Sequence, residues 1–387
     1  MNRTSKYAPI CALMAIVALF GSGRATADTP PANPQLLHQF CDPFHFSCIG
    51  EDAALGHVAQ NVIAGSDGAY YGTTVYNNAE DGGGAIYRAD PVANTVVAIY
   101  QFPTGLYPTG WLKTDPDGNL YGGYDQTANG RSEGFYRLSP TGEFTVIYDE
   151  SKSRGFSCNA PVRDSLGNWV GVTSSHRDPF VYKLSPSGVF KVLHTFAFGL
   201  SFACPNFQPV LAADGNLYGV ARGEGGKQNR SQIFRIAPDD TFTVVHEFDG
   251  AGDIIAMTPL TVGPDGALYG ISAPFDGAKS GMLYRLSLDG QFTYVASLSR
   301  GFIAGPKLTL MPDGYFYGLG VIDQQSQSWI IFRLSPAGAF TFLDVPPAAE
   351  AYSQLIRGFD NALYGTSYDG GQERGGTLYR YVPPPVQ

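Results

Sequence analysis

A six-residue phrase, Asp-Gly-x-Leu-Tyr-Gly, recurs through this chain of 387 residues at steps of 47 to 51 residues, and no other property narrows its folding choices so far. The first copy is Asp67-Gly68-Ala69-Tyr70-Tyr71-Gly72, and four more stand at 117–122, 214–219, 265–270 and 313–318. Two divergent copies, at 166–171 and 360–365, bring the number to seven. About fifteen residues after each comes a second phrase, best kept as Tyr136-Arg137-Leu138-Ser139-Pro140-Thr141-Gly142. A period of this length means a propeller or a solenoid.

The fifth repeat shows the strand pattern. An apolar run at 259–262 meets the turn Pro264-Asp265-Gly266, and a second run follows at 268–271. After a loop come 282–286, a turn at 287–290, and 292–296. These are four strands, A to D, with tight A-B and C-D turns. In the Ser-Pro-x-Gly turns at 139–142, 185–188 and 335–338 the proline presets φ at the first corner and the glycine can take positive φ. Four antiparallel strands per repeat suit a propeller blade better than a β-helix coil, so the expected fold is an all-β, seven-bladed β-propeller. The seventh repeat ends after its strand C, at Tyr379-Arg380-Tyr381. The missing strand stands at the other end of the chain: Gln35-Leu36-Leu37-His38-Gln39-Phe40 matches the strand D sequences at 191–196 and 243–248. The N-terminal strand is therefore expected to complete the last blade and close the ring.

These phrases resemble the GloVer tandem-repeat proteins of bacteria, whose repeat runs Leu-His-x-Phe, then Asp-Gly-Asn-Leu-Tyr-Gly, a glycine-rich stretch, and an aromatic-basic-Leu segment leading into a Pro-x-Gly turn. The likeness covers nearly all of the chain after its N-terminus, and is clearest at 193–196, 214–219 and 375–380. It implies a secreted repeat protein of β-propeller type and brings no catalytic residues to carry over.

The N-terminus has Arg3 and Lys6, an apolar stretch from about Ile10 to Phe20, and Ala25-Thr26-Ala27, the pattern of a secretory signal with an A-x-A cleavage site. The expected organisation is a signal at 1–27, a linker at 28–34, one propeller at 35–382 and a Pro-rich tail at 383–387. Removing the signal takes away Arg3, Lys6 and Arg24 and no acid, so the formal charge moves from -9 to -12. An acidic exported chain without a basic cluster argues against nucleic acid or anionic membrane as a partner. No segment has the roughly 20 apolar residues of a membrane span.

What recurs in every repeat reads as architecture. The basic residue of strand C (Arg88, Arg137, Lys183, Arg235, Arg285, Arg333, Arg380) is expected to bond the turn acid of the Asp-Gly phrase or a turn carbonyl. The third repeat has Leu166 in place of that acid and Lys183 in place of arginine, a joint loss consistent with pairing. His38, His194 and His246 in strand D read as packed or edge residues.

Function is expected on the face of long, variable B-C and D-A loops. Cys41, Cys48, Cys158 and Cys204 all fall in D-A loops, where an exported protein favours disulfides. Of the three connectivities, Cys41 with Cys48 and Cys158 with Cys204 is the expected one. The candidates for proton transfer are His176 and Arg177, in the loop Ser174-Ser175-His176-Arg177-Asp178, and His57 in the first D-A loop. A histidine beside an acid and an arginine suits proton abstraction next to the carboxylate of a uronic-acid polymer. Where strand A opens on the channel, the positions are approximately Asn61, Trp111, Pro161, Pro209, Pro259, Lys307 and Gln354, with no acidic ring, so neither a metal nor another cofactor is expected. Trp111, Tyr124, Tyr76, Trp329 and Tyr368 are the candidate ligand-binding rings. Together they favour a binding module for a glycan or a protein partner. The alternatives are a carbohydrate-active enzyme, either lyase or hydrolase, and an envelope scaffold.

Overall fold

The computed structural model describes residues 34–41, 54–76, 83–126, 132–150, 160–173, 180–196, 208–222, 231–248, 254–256, 258–274, 280–300, 302–305, 307–321, 329–346, 353–368, 370–372 and 374–386. These form seven antiparallel sheets, six of them built from strands A to D in chain order and the seventh taking its strand D from the N-terminus. Blade 1, for example, consists of His57–Ala64, Tyr70–Tyr76, Ala85–Asp90 and Thr95–Gln101. The fold is a seven-bladed β-propeller. Strand A of one blade touches strand A of the next, which places these strands at the hub. There Thr261 Oγ1 donates to the Leu308 carbonyl at 2.9 Å, and Thr309 Oγ1 to the Leu355 carbonyl. In blades 5 and 6 strand A is broken into two short segments, Ile254–Ala256 with Thr261–Val262 and Ile303–Ala304 with Thr309–Leu310.

Ring closure follows the sequence expectation. Gln35–Cys41 pairs antiparallel with Arg374–Tyr381, Gln35 opposite Arg380 and Cys41 opposite Arg374, and so completes blade 7. The seam with blade 1 is cemented by Tyr70, whose ring stacks on Tyr364 at 4.1 Å while its hydroxyl accepts the Phe359 N–H at 3.1 Å.

Each letter of the repeated phrase has a physical task. The second-position glycine closes a tight turn at positive φ, from 77° at Gly266 to 83° at Gly68 and Gly167. In the divergent seventh copy Asn361 adopts φ 60°, the left-handed region that asparagine tolerates best among residues with a Cβ. The turn aspartate accepts from the phrase's own tyrosine, Tyr218 to Asp214 at 2.8 Å and Tyr317 to Asp313 at 2.6 Å among them. The final glycine lies under the aromatic ring of strand C. A Cβ on Gly122, Gly219, Gly270 or Gly365 would stand within 2.5 Å of Tyr136, Phe234, Tyr284 or Tyr379 respectively. That ring is fully buried in each case and anchors the packing between blades.

The expected pairing of strand C arginine and turn acid is present in Arg88–Asp67 at 3.0 Å, Arg285–Asp265 at 2.8 Å and Arg380–Asp360 at 2.6 Å. The third repeat corrects the expectation of a joint loss. Its acid has moved to the start of the turn, where Asp164 lies 3.3 Å from Lys183, and Lys183 also pairs with Asp240 of blade 4. The same shift occurs in blade 2, where Tyr121 donates to Asp115 at 3.0 Å. Burial pushes the Asp265 carboxyl up, but hydrogen bonds from Arg285 and the Ala267 N–H outweigh it and hold the group below its ordinary value. Its contribution is therefore present at neutral pH and fades as the pH falls below the ordinary 3.8. The pair is more than a third exposed on both sides, so Arg285→Ala should cost less than about 1 kcal/mol in urea unfolding, and less still in high salt.

The strand D histidines are packed between blades. His194 stacks on Phe242 at 3.6 Å and His246 on Phe292 at 3.5 Å, each edge-on to the buried phenylalanine two residues later. One feature had no signature in the sequence: strand D carries a bulge in every blade, always opposite the strand C ring. The extra residues are Leu37, Ile99, Ile147, Leu193, Val245, Val295 and Leu343.

Candidate functional site

The two ends of the blades differ in kind. At the short-turn end a tyrosine-to-aspartate bond recurs in six blades, with the acid displaced to Asp115 in blade 2. One cleft there, about 600 Å³ between blades 1 and 2 and lined by Asp67, Arg88 and Pro140, lies between repeated turns. At the loop end the blades depart from one another. In blade 1 the pairing of strand A slips between Ala59 and Asn61, leaving Gln60 as a bulge. In blade 2 it slips between Pro108 and Leu112, with Gly110 at φ 87°. The two bulges meet, since a Cβ on Gly110 would stand 2.5 Å from Gln60 Oε1. Gln60 Oε1, Thr109 Oγ1 and Trp111 Nε1 are buried there without hydrogen-bond partners among the described residues. Irregular strands and incompletely satisfied polar groups gather at functional sites, because elsewhere neither is retained without compensation.

Two sequence boundaries shift as a result. Strand A of blade 1 begins at His57, paired with Tyr76, where the sequence placed His57 in the first D-A loop. Strands B and C of blade 2 run as Leu120–Gln126 and Ser132–Leu138, so Tyr124 belongs to a strand and not to the B-C loop. Both extensions follow from bulges and small residues that let the ladder continue beyond the repeated phrase.

The candidate residues are scattered across this architecture. The backbones of His57 and Tyr76 face each other across one ladder. His176 and Arg177 lie outside the described residues, as do Cys48, Cys158 and Cys204. Trp111 is buried, its ring 5.3 Å from Phe135 in the core between blades 2 and 3. Tyr124 is buried too, its ring against Gly134, and burial with the neighbouring Asp149 carboxylate pushes its phenol up. Trp329 is half-buried against the core of blades 6 and 7. Tyr368, at the end of strand B in blade 7, keeps an exposed ring, 43 % accessible. Cys41 ends the first strand and is buried.

At the hub itself stand two lysines. Lys307 occupies the repeat position of Asn61, Gln208 and Gln354, and its Nζ donates to Gln208 Oε1 of blade 4 at 3.4 Å. Lys113, in strand A of blade 2, holds a position filled by Ile63, Val162, Val210, Thr261, Thr309 and Ile356 in the other blades, which no repeat pattern would single out. Burial, with the positive charge of Lys307 adding to it, pushes Lys113 down to about 7. Burial also lowers Lys307. No group of three or more potential metal ligands occurs among the described residues. No helix of the described residues is long and apolar enough to cross a membrane.

Known proteins resemble this chain in repeat and in fold. The profile of the Gloeobacter/Verrucomicrobia repeat matches residues 110–321, more than half of the chain. No curated protein matches it significantly in sequence. Among solved structures, virginiamycin B lyase from Staphylococcus aureus is similar with a TM-score of 0.58 at 11% identity, over 91% of this chain and 98% of that one. Oligogalacturonate lyase from Vibrio parahaemolyticus gives 0.55 at 14%, over 85% and 90%. Puromycin hydrolase gives 0.57 at 14%, over 87% of this chain and 53% of that one. At such identities the likeness is one of fold.

Proposed function

The chain belongs to the Gloeobacter/Verrucomicrobia repeat family, and we propose that it is an exported binding module whose loop face takes a glycan. The observation that carries this reading is that strand A departs from the repeat at the loop end of the blades. The short-turn end repeats its own hydrogen bonds, whereas the loop end holds the meeting bulges of Gln60 and Gly110, the interrupted hub strands of blades 5 and 6, and the exposed ring of Tyr368. A rigid ring whose loop end departs from the repeat is the arrangement of a scaffold presenting a recognition surface. An exposed ring beside amides and hydroxyls suits the alternating apolar and polar faces of a sugar. Export fits the signal-like N-terminus and the state of Cys41, which is disulfide-bonded. In this reading Cys41 pairs with Cys48, and Cys158 with Cys204, pinning the long loops on which the surface is built.

A glycan array with a polysaccharide panel, run on the mature chain and scored both for binding and for new reducing ends or unsaturated uronate, tests this reading. Binding without product is the expected result. Tyr368→Ala should then weaken binding about tenfold, the worth of one stacked ring, while Phe359→Ala, a more exposed ring at the short-turn end, leaves it unchanged. Product formation would replace the binding reading by an enzyme reading and direct attention to His57, His176 and Arg177. Silence in both assays would remove the glycan and leave a protein partner.

A further inference from the structure

We propose that the hub of the propeller binds a compact divalent oxyanion of the sulfate or phosphate class between Lys113 and Lys307. The two lysines come from strand A regions of blades 2 and 6, which are not neighbours in the ring, so they approach each other only across the hub. What the geometry shows is two strand A lysines at the hub, neither with a counter-charge among the described residues. Lys307 reaches Gln208 of blade 4, a neutral amide, at 3.4 Å, and no carboxylate pairs with either ammonium among the described residues. Arg88, Lys183, Lys191, Arg285 and Arg380 meet aspartates, and Arg333 and Arg357 donate to the Pro384 carbonyl and the Asn361 amide oxygen, so these basic groups at the short-turn end have an oxygen that the hub lysines do not share. Two desolvated like charges are costly unless something neutralises them, and both residues retain partial exposure, so a solute can reach them.

The class of ion follows from the donors. An ammonium is a point charge with three rotatable donors, not a planar fork, and does not select the flat two-oxygen edge of a carboxylate. Two such charges approaching from different blades match two negative charges on an ion with acceptors on all sides. Asn61 and Gln354, at the repeat position of Lys307, add neutral amides to the same ring. The groups bearing on Lys113 are burial and Lys307, and on Lys307 burial alone, so protonation of the pair is the variable that an anion would control.

The test is calorimetric titration of the mature chain with sulfate at constant ionic strength, since sulfate keeps its charge from about pH 6 to about pH 9. The expected result is one saturable site whose affinity falls as the pH rises through that range, because Lys113 sheds its proton near 7. K113M and K307M should each weaken binding at least tenfold. Both should melt no lower than the parent chain in sulfate-free buffer, because each removes a desolvated charge. Phosphate should displace sulfate, and acetate should not. Absence of a saturable site, equal binding by the double variant, a lower melting temperature of the variants without sulfate, or displacement by acetate would each overturn the proposal.

Discussion

Deleting residues 34–40 while keeping Cys41 should abolish the cooperative unfolding transition of the ring or lower its stability by at least about 5 kcal/mol. The deletion removes all but the last residue of the outer strand of blade 7, including Phe40, which is 1 % exposed and packs against Tyr87 of blade 1 at 5.2 Å. Loss of a buried phenylalanine alone costs about 3–5 kcal/mol, and an unpaired ladder along Arg374–Tyr381 adds to that. The damage is not confined to one blade, because a ring without its closing strand can open at the seam of Tyr70 and Tyr364. A synthetic peptide spanning 34–40, added in excess, should raise the midpoint again in a concentration-dependent way. An unchanged denaturation midpoint in the truncated chain would show that the ring is held by its other six seams.

The second large effect separates two glycines of one phrase. Gly270→Ala places a Cβ 2.3 Å from the Tyr284 hydroxyl and 2.4 Å from the ring carbon that bears it, and that ring is fully buried with no free space to retreat into. Overpacking of this kind costs about 1–3 kcal/mol, and the rigid ring puts the expected value at the upper end. Combining it with Tyr284→Leu should give less than the sum of the two single costs by at least about 1 kcal/mol, since the clash and the lost ring share one space. Gly266→Ala, four residues earlier, meets nothing within 4 Å, and its cost comes from a backbone at φ 77° alone, about 1 kcal/mol. Chemical denaturation of the four variants orders them. If Gly270→Ala proved milder than Gly266→Ala, the stacking of ring on glycine would not be what keeps that letter of the repeat.

The architecture was legible because it is repeated. A signal present seven times reveals strands, turns and the displaced strand at 35–41 without any single copy being decisive. The pairing of Arg285 with Asp265 was legible for the same reason. What the repeat averages away was harder to see. Asp115 and Asp164 carry the turn acid at a shifted position, so blade 3 looked unpaired when it is not. The bulge residues of strand D are ordinary aliphatics such as Ile99 and Val245, indistinguishable in type from their paired neighbours. Lys113 stands where four blades place isoleucine or valine and two place threonine, and only the ring, which brings blade 2 opposite blade 6, gives it a companion in Lys307. Trp111 and Tyr124 read as surface rings because they sit near loops. In the fold, the bulge at 109–111 and the small residues Gly123 and Gly134 beside it let both rings turn inward.

The strand D bulges bear on how these molecules behave when crowded. Seven blades present seven outer strands to solvent, each with a row of backbone groups facing away from the sheet, and a regular row of that kind would recruit strands from neighbouring molecules. Opposite Tyr87, Tyr136, Tyr182, Phe234, Tyr284, Phe332 and Tyr379 the row is broken by one extra residue, which kinks the strand and puts its outward donors and acceptors out of step. An incoming strand can match the row only for the two or three residues on either side of the kink. The device that seats the core ring thus also keeps concentrated solutions of this propeller from growing sheet by sheet into fibres.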